Sequence, residues 1–164
     1  LSGCACEDVD TEAEARVAYL GVDQVVSRTL ALGFDGFNAA SSANIPTQNA
    51  DGDDEGTITV TGQVDQGASD NKGMRLSVAL VEYSDGPIDD PETEAEEEIL
   101  ILYDTAEDAP LSLELNLRNI PDGTLTGSLA GRVIMTGDLE GGLDLSLSFG
   151  NEPKSSHAAV VKFP

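Results

Sequence analysis

The oxygen-rich run Asn49-Ala50-Asp51-Gly52-Asp53-Asp54-Glu55-Gly56 is the first place in this chain where residue type and spacing would do chemistry. Asp51, Asp53 and Glu55 alternate and Gly56 follows, as in the first half of a calcium loop. Gly62, however, stands where such a loop needs a bidentate Glu. Calcium is thus a candidate ligand on these three carboxylates, to be weighed against a solvated acidic loop before a strand. A second acidic run holds Asp85, Asp89, Asp90, Glu92, Glu94, Glu96, Glu97 and Glu98, with Pro87 and Pro91 inside it. Like charges repel and extend a chain, so this run reads as a loop between strands, with diffuse cations or a basic partner as the functional alternative. Cys4 and Cys6 form a Cys-x-Cys pair open to three readings: a local disulfide, half of a metal site, or two thiols of separate fate. Zinc needs four N or S ligands, and His157 is the one histidine left to join them. His157 follows Ser155 and Ser156, but no Gly-x-Ser-x-Gly elbow exists to hold a nucleophile. The abundance of carboxylates deprives any one pair of diagnostic value for glycoside chemistry. The expectation is a non-enzyme with no catalytic residues and no resident cofactor.

The elements that carry these residues follow from periodicity. Thr11-Glu12-Ala13-Glu14 fits a capping box, and its two acids suit the positive end of a helix dipole. Ala18, Val22, Val25, Val26, Thr29 and Leu32 then recur at three and four residues, which predicts a helix from Thr11 to Leu32 stopped by Gly33, with Phe34 and Phe37 packing just past its end. Residues 33–56 read as a connection. Beyond them the period becomes two: Ile58, Val60 and Val64; Met74, Leu76, Val78 and Leu80; Leu111 through Leu117; Leu125, Leu129, Val133 and Met135; Leu143 through Phe149. Each run has one wet and one apolar face, as in an antiparallel sheet. Ile99 to Tyr103 is apolar at successive positions and is expected to be more central or covered on both faces. Pro121-Asp122-Gly123 reads as a hairpin turn, and Gly137 to Gly142 as a loop or as bulged strand ends. Gly127 and Gly131 lie on the inward parity, where a missing side chain permits bending or close approach. The predicted class is α+β: one N-terminal helix packed on a curled antiparallel sheet or partial barrel of about six or seven strands, with a β-sandwich carrying an outside helix as the runner-up.

Composition narrows function by exclusion. The 164 residues include 31 acids and eight bases, a formal net charge of −23. Nucleic-acid binding runs on clustered Lys and Arg, so it is excluded as a partner class. Adsorption to anionic lipid through a basic face is excluded on the same ground. Aromatics are 4% with no Trp, so the rigid anchors common in protein interfaces are scarce. Self-repulsion at this charge opposes compaction and weakens as salt shortens the Debye length.

The opening Leu1-Ser2-Gly3-Cys4 resembles the lipobox of bacterial lipoproteins, in which a diacylglycerol thioether is attached to the Cys after a signal peptide is cut away. The small residues there let the backbone approach the peptidase closely. The resemblance implies lipidation at Cys4, a membrane anchor through that lipid, and an acidic tether over residues 1–10 ahead of a single domain over 11–164. Cys6 then belongs to the tether as a spare thiol able to pair between molecules. The Cys-led acidic start, the helix and the Gly- and Thr-rich strands Gly123-Thr124-Leu125-Thr126-Gly127 and Gly142-Leu143-Asp144-Leu145-Ser146-Leu147 resemble β-rich envelope lipoproteins of myxobacteria and related bacteria. Ala5 is not the Asp that retains many lipoproteins in the inner membrane, so this likeness implies the outer membrane or cell surface. Two roles are then expected: a tethered module binding a polymer, ion or protein, or a structural subunit forming homo-oligomers through strand edges, with Ala158 to Phe163 as a candidate donor strand.

Overall fold

The computed structural model describes residues 7–89, 98–120 and 123–150. Helix α1 runs Glu12–Ala39 and is followed by β2 (Gln48–Asp51), β3 (Glu55–Val64), β4 (Lys72–Ser84), β5 (Ile101–Thr105), β6 (Leu111–Arg118), β7 (Thr124–Gly137) and β8 (Leu139–Phe149). Ahead of the helix, the two-residue β1 (Glu7–Asp8) pairs parallel with Leu139 and Glu140 of β8. The predicted α+β class is thus the observed one: one N-terminal helix on a seven-stranded antiparallel sheet. The helix and the inward side chains of the sheet form one continuous core rather than the two-sheet core of a sandwich.

Thr11 caps the helix as its sequence requires. Its Oγ1 accepts the Glu14 N–H at 3.2 Å, and the Glu14 carboxylate accepts the N–H groups of Thr11 and Asp10 at 2.8 Å each. Those backbone donors, Asp10 first and then Thr11, hold the Glu14 carboxyl below its ordinary range. All six residues of the predicted apolar stripe are buried. The predicted stop is corrected: the helix passes through Gly33 and Gly36, takes in Phe34 and Phe37, and ends at Ala39. Neither glycine has a positive φ, so neither supplies the left-handed residue that ends a helix. Their role is close approach. A Cβ on Gly33 would lie 2.9 Å from Leu76 Cδ1, and one on Gly36 would lie 2.7 Å from Ile45 Cδ1. Near the other end, Gly21 sits under Tyr103, whose hydroxyl donates to the Ala18 carbonyl at 3.3 Å.

The register shows how the sheet curls. β5 and β6 both pair with β4 on one side and β7 on the other: Tyr103 faces Tyr83 and Met135, while Leu113 faces Leu76 and Leu129. The two strands therefore fill one place in succession, and the sheet is a meander in chain order with a single split line; the four pairings close a small ring. Residues 106–109 step out of that line. Ala109 N–H reaches Ala106 O at 3.4 Å, and Ala106 N–H and Ala109 O bracket Arg132 at 3.0 and 2.8 Å. On the β4 side, side chains replace the missing ladder: Thr105 Oγ1 accepts the Leu80 N–H and Asp104 Oδ1 accepts the Glu82 N–H, each at 2.9 Å. Gly131, opposite the step, has φ +139 and would place a Cβ 2.6 Å from Pro110 O, so a side chain there would break the split.

The predicted inward residues of β3, β4, β6 and β7, and Leu143, Leu145 and Leu147 of β8, lie on the core face, with Leu117 and Leu125 only half-buried; the side chain of Phe149 lies outside what the structure describes. In the Ile99–Tyr103 run, Ile101 and Tyr103 are buried while Leu100 and Leu102 are half-buried, so this strand is central without being covered equally on both faces. Only Asp138 separates β7 from β8, and its Oδ2 accepts the Leu100 N–H at 2.9 Å. The connection predicted over 33–56 contains the last turns of α1 and the strand β2, which pairs with β3 from Gln48 opposite Val60 to Asp51 opposite Thr57.

Candidate functional site

The acidic run at 51–55 forms the hairpin between β2 and β3. Asp51 ends β2, Glu55 begins β3, and all three candidate calcium ligands, Asp51, Asp53 and Glu55, are exposed. The turn is closed by Gly52 N–H on Gly56 O at 3.0 Å, and by Asp54 N–H on Ser84 O at 3.1 Å. Gly56 has φ +73, and a register shift lies between Glu55 and Thr57, so the backbone bulges here rather than wrapping around a point. Asp85, from the second acidic run, docks against this hairpin: its Oδ1 accepts the Asp53 N–H at 3.2 Å and the Tyr83 hydroxyl at 2.7 Å. Burial, and then the hydrogen bond to Asp85, push the Tyr83 phenol well above its ordinary value. The structure therefore brings the start of one acidic run to the other, a pairing with no signal in the sequence. Among the described residues no group of three His, Cys, Asp or Glu side chains is arranged to hold a metal ion. Cys4, Cys6, residues 90–97, Pro121, Asp122, Ser155, Ser156, His157 and the segment Ala158 to Phe163 lie outside the described residues.

The feature that sequence reading missed is a cleft of about 430 Å³ between the start of α1 and the β7–β8 hairpin. Its origin is a vacancy on the inward row of β8. Leu139 and Leu143 are buried, and the inward position between them is Gly141, whose φ of +147 suits glycine. A Cβ there would meet nothing nearer than Met135 Cε at 3.9 Å. The half-buried Val9 and Ala15 supply its apolar surface over the buried Met135 and Leu143, and Asp10, Glu12 and Glu140 also line the cleft. Glu12 is 93% exposed and lies 3.5 Å from Arg16, while the carboxylates of Asp10 and Glu140 have no ion pair among the described residues. The volume is within the range of small-molecule sites. The glycine pair at 141–142 was the available sequence signal; it reads as turn chemistry until β7 is placed beside it.

The sheet's other face is polar. Thr61, Ser77, Ser112, Ala130 and Ser146 lie opposite one another across β3, β4, β6, β7 and β8, and all five are exposed. Asp65, at the start of the β3–β4 hairpin, accepts from Arg75 at 3.0 Å and from the Gly73 N–H at 2.9 Å. These two contacts, Arg75 first, hold its carboxyl below the ordinary range. No helix among the described residues is long and apolar enough to cross a membrane. Comparison with family models, with curated proteins and with solved structures gave no match.

Proposed function

We propose that this chain is a lipid-anchored lipoprotein of the bacterial envelope, held at the outer membrane or cell surface through Cys4, and that it binds a ligand rather than catalysing a reaction. The observation that supports this reading most is the place where folding begins. β1 starts at Glu7, three residues after Cys4, and Val9 and Asp10 already line the cleft. Three residues reach at most ~11 Å, so a lipid on the Cys4 sulfur would hold the β1–β8 edge, and the cleft with it, close to the bilayer. The one histidine and the lack of a nucleophile elbow favour binding over catalysis. Mass spectrometry of the native protein tests the anchor. The expected result is a diacylglycerol adduct on Cys4 in the membrane fraction, with Cys4→Ala released from it; an unmodified, freely soluble native chain would overturn the reading.

A second reading, self-assembly through strand edges, has one observation in its favour. β8 pairs with β7 from Gly141 to Phe149, and among the described residues its other edge is covered at Leu139 and Glu140 alone. Exposed edges are templates for further strands. Sedimentation with and without calcium separates the two readings: a monomer in both conditions favours the binding module.

A further inference from the structure

We infer that the cleft between α1 and the β7–β8 hairpin is a site for a linear aliphatic amine, a ligand with a methylene stem and an ammonium head. The inference rests on the binding-module reading and names its ligand class.

Three properties of the cleft select this chemistry. Its apolar part, the half-buried Val9 and Ala15 over the buried Met135 and Leu143, accepts methylene groups and offers no hydrogen-bonding partner in return. Two of its carboxylates, Asp10 and Glu140, have no ion pair among the described residues, on a chain whose formal charge is −23, while Glu12 already meets Arg16. An ammonium head beside them gains attraction, whereas a carboxylate or phosphate is repelled. The helix start would otherwise invite an anion, but a carboxylate of the chain already lies there. Thr11 Oγ1 takes the Glu14 N–H, and the Glu14 carboxylate takes those of Asp10 and Thr11, which places a further negative charge at the dipole's positive end. Bare metal cations gain nothing from the apolar floor. Neutral alkyl chains gain nothing from the carboxylates. An alkylammonium uses both.

Titration of the full chain with hexylamine, followed by calorimetry at fixed ionic strength, tests the assignment. Hexanol and ammonium chloride serve as controls carrying the stem or the charge alone. The expected result is saturable binding of one hexylamine per chain, with neither control matching it. Ala15→Leu, which places a larger side chain in the cleft at the first turns of α1, is expected to weaken binding about tenfold by excluding roughly two methylenes. The double variant Asp10→Asn with Glu140→Gln changes exposed side chains only, and is expected to weaken it roughly fivefold. Absence of saturable hexylamine binding overturns the inference, as does equal binding by ammonium chloride or unchanged binding in the double variant. An acylated chain indifferent to hexylamine refutes the ligand class alone; an unacylated chain that binds it refutes the anchor alone.

Discussion

Glu14 does two jobs with one carboxylate: it closes the capping box and occupies the positive end of α1. Because its folded pKa is lowered from an ordinary value of 4.5, the stabilisation it gives is fully present above that value. It is lost as pH falls through the lower, folded value. Glu14→Gln keeps an acceptor but removes the charge. Chemical unfolding followed across pH should therefore show this variant less stable than the parent at neutral pH, with the gap closing as pH drops below the ordinary carboxylate range. A constant gap would mean that charge plays no part in the cap. Asp65 follows the same sign through Arg75 and Gly73. Tyr83 and Tyr103 follow the opposite one: both phenols are raised by burial, so the stability they contribute as neutral groups is lost only as pH rises above the ordinary value of 10.0.

At the scale of elements, helix and sheet approach closely through glycine. Gly21→Ala would gain about 1 kcal/mol of helix propensity in open solvent. Here the new Cβ would collide with the Tyr103 hydroxyl and come within 2.6 Å of Ile88 Cδ1, and the phenol ring has little freedom to yield. A net loss of about 1–3 kcal/mol is expected from denaturant melts. The loss should shrink in a Tyr103→Phe background, where the colliding oxygen is gone; equal losses in both backgrounds would place the strain elsewhere. The same contacts explain how far the helix was legible. Its start and buried stripe are local facts of Thr11, Glu14 and the spacing from Ala18 to Leu32. Its end is not, because Gly33 acts as a stop or as a contact depending on whether Leu76 waits beside it. Likewise the alternation of β4 and β7 identifies strands, but nothing within β5 or β6 announces that the two share one place between them.

For the molecule as a whole, a charge of −23 sets a repulsive background that no single pair removes. Among the described residues Arg75 meets Asp65 at 3.0 Å, and the Arg132–Asp144 contact is 3.9 Å long. Screening should therefore stabilise the fold. The Debye length falls from about 10 Å at 0.1 M salt to about 3 Å at 1 M. The melting temperature is expected to rise across that range in sodium chloride, and a flat or falling profile would show that the fold already tolerates its charge.

The amino-acid sequence by itself determined the class of this fold, one capped helix followed by half-buried antiparallel strands. Capping chemistry and the periods of 3.6 and 2 act between residues close along the chain. It also carried the acidic balance from which the expectation of no nucleic-acid partner is drawn. Tertiary structure alone decided three things: that α1 continues to Ala39, that β5 and β6 lie in one line, and that a missing side chain at Gly141 opens a cleft beneath the helix start. Each depends on which distant residue stands opposite, and a glycine carries no mark of its neighbour until the chain has folded around it.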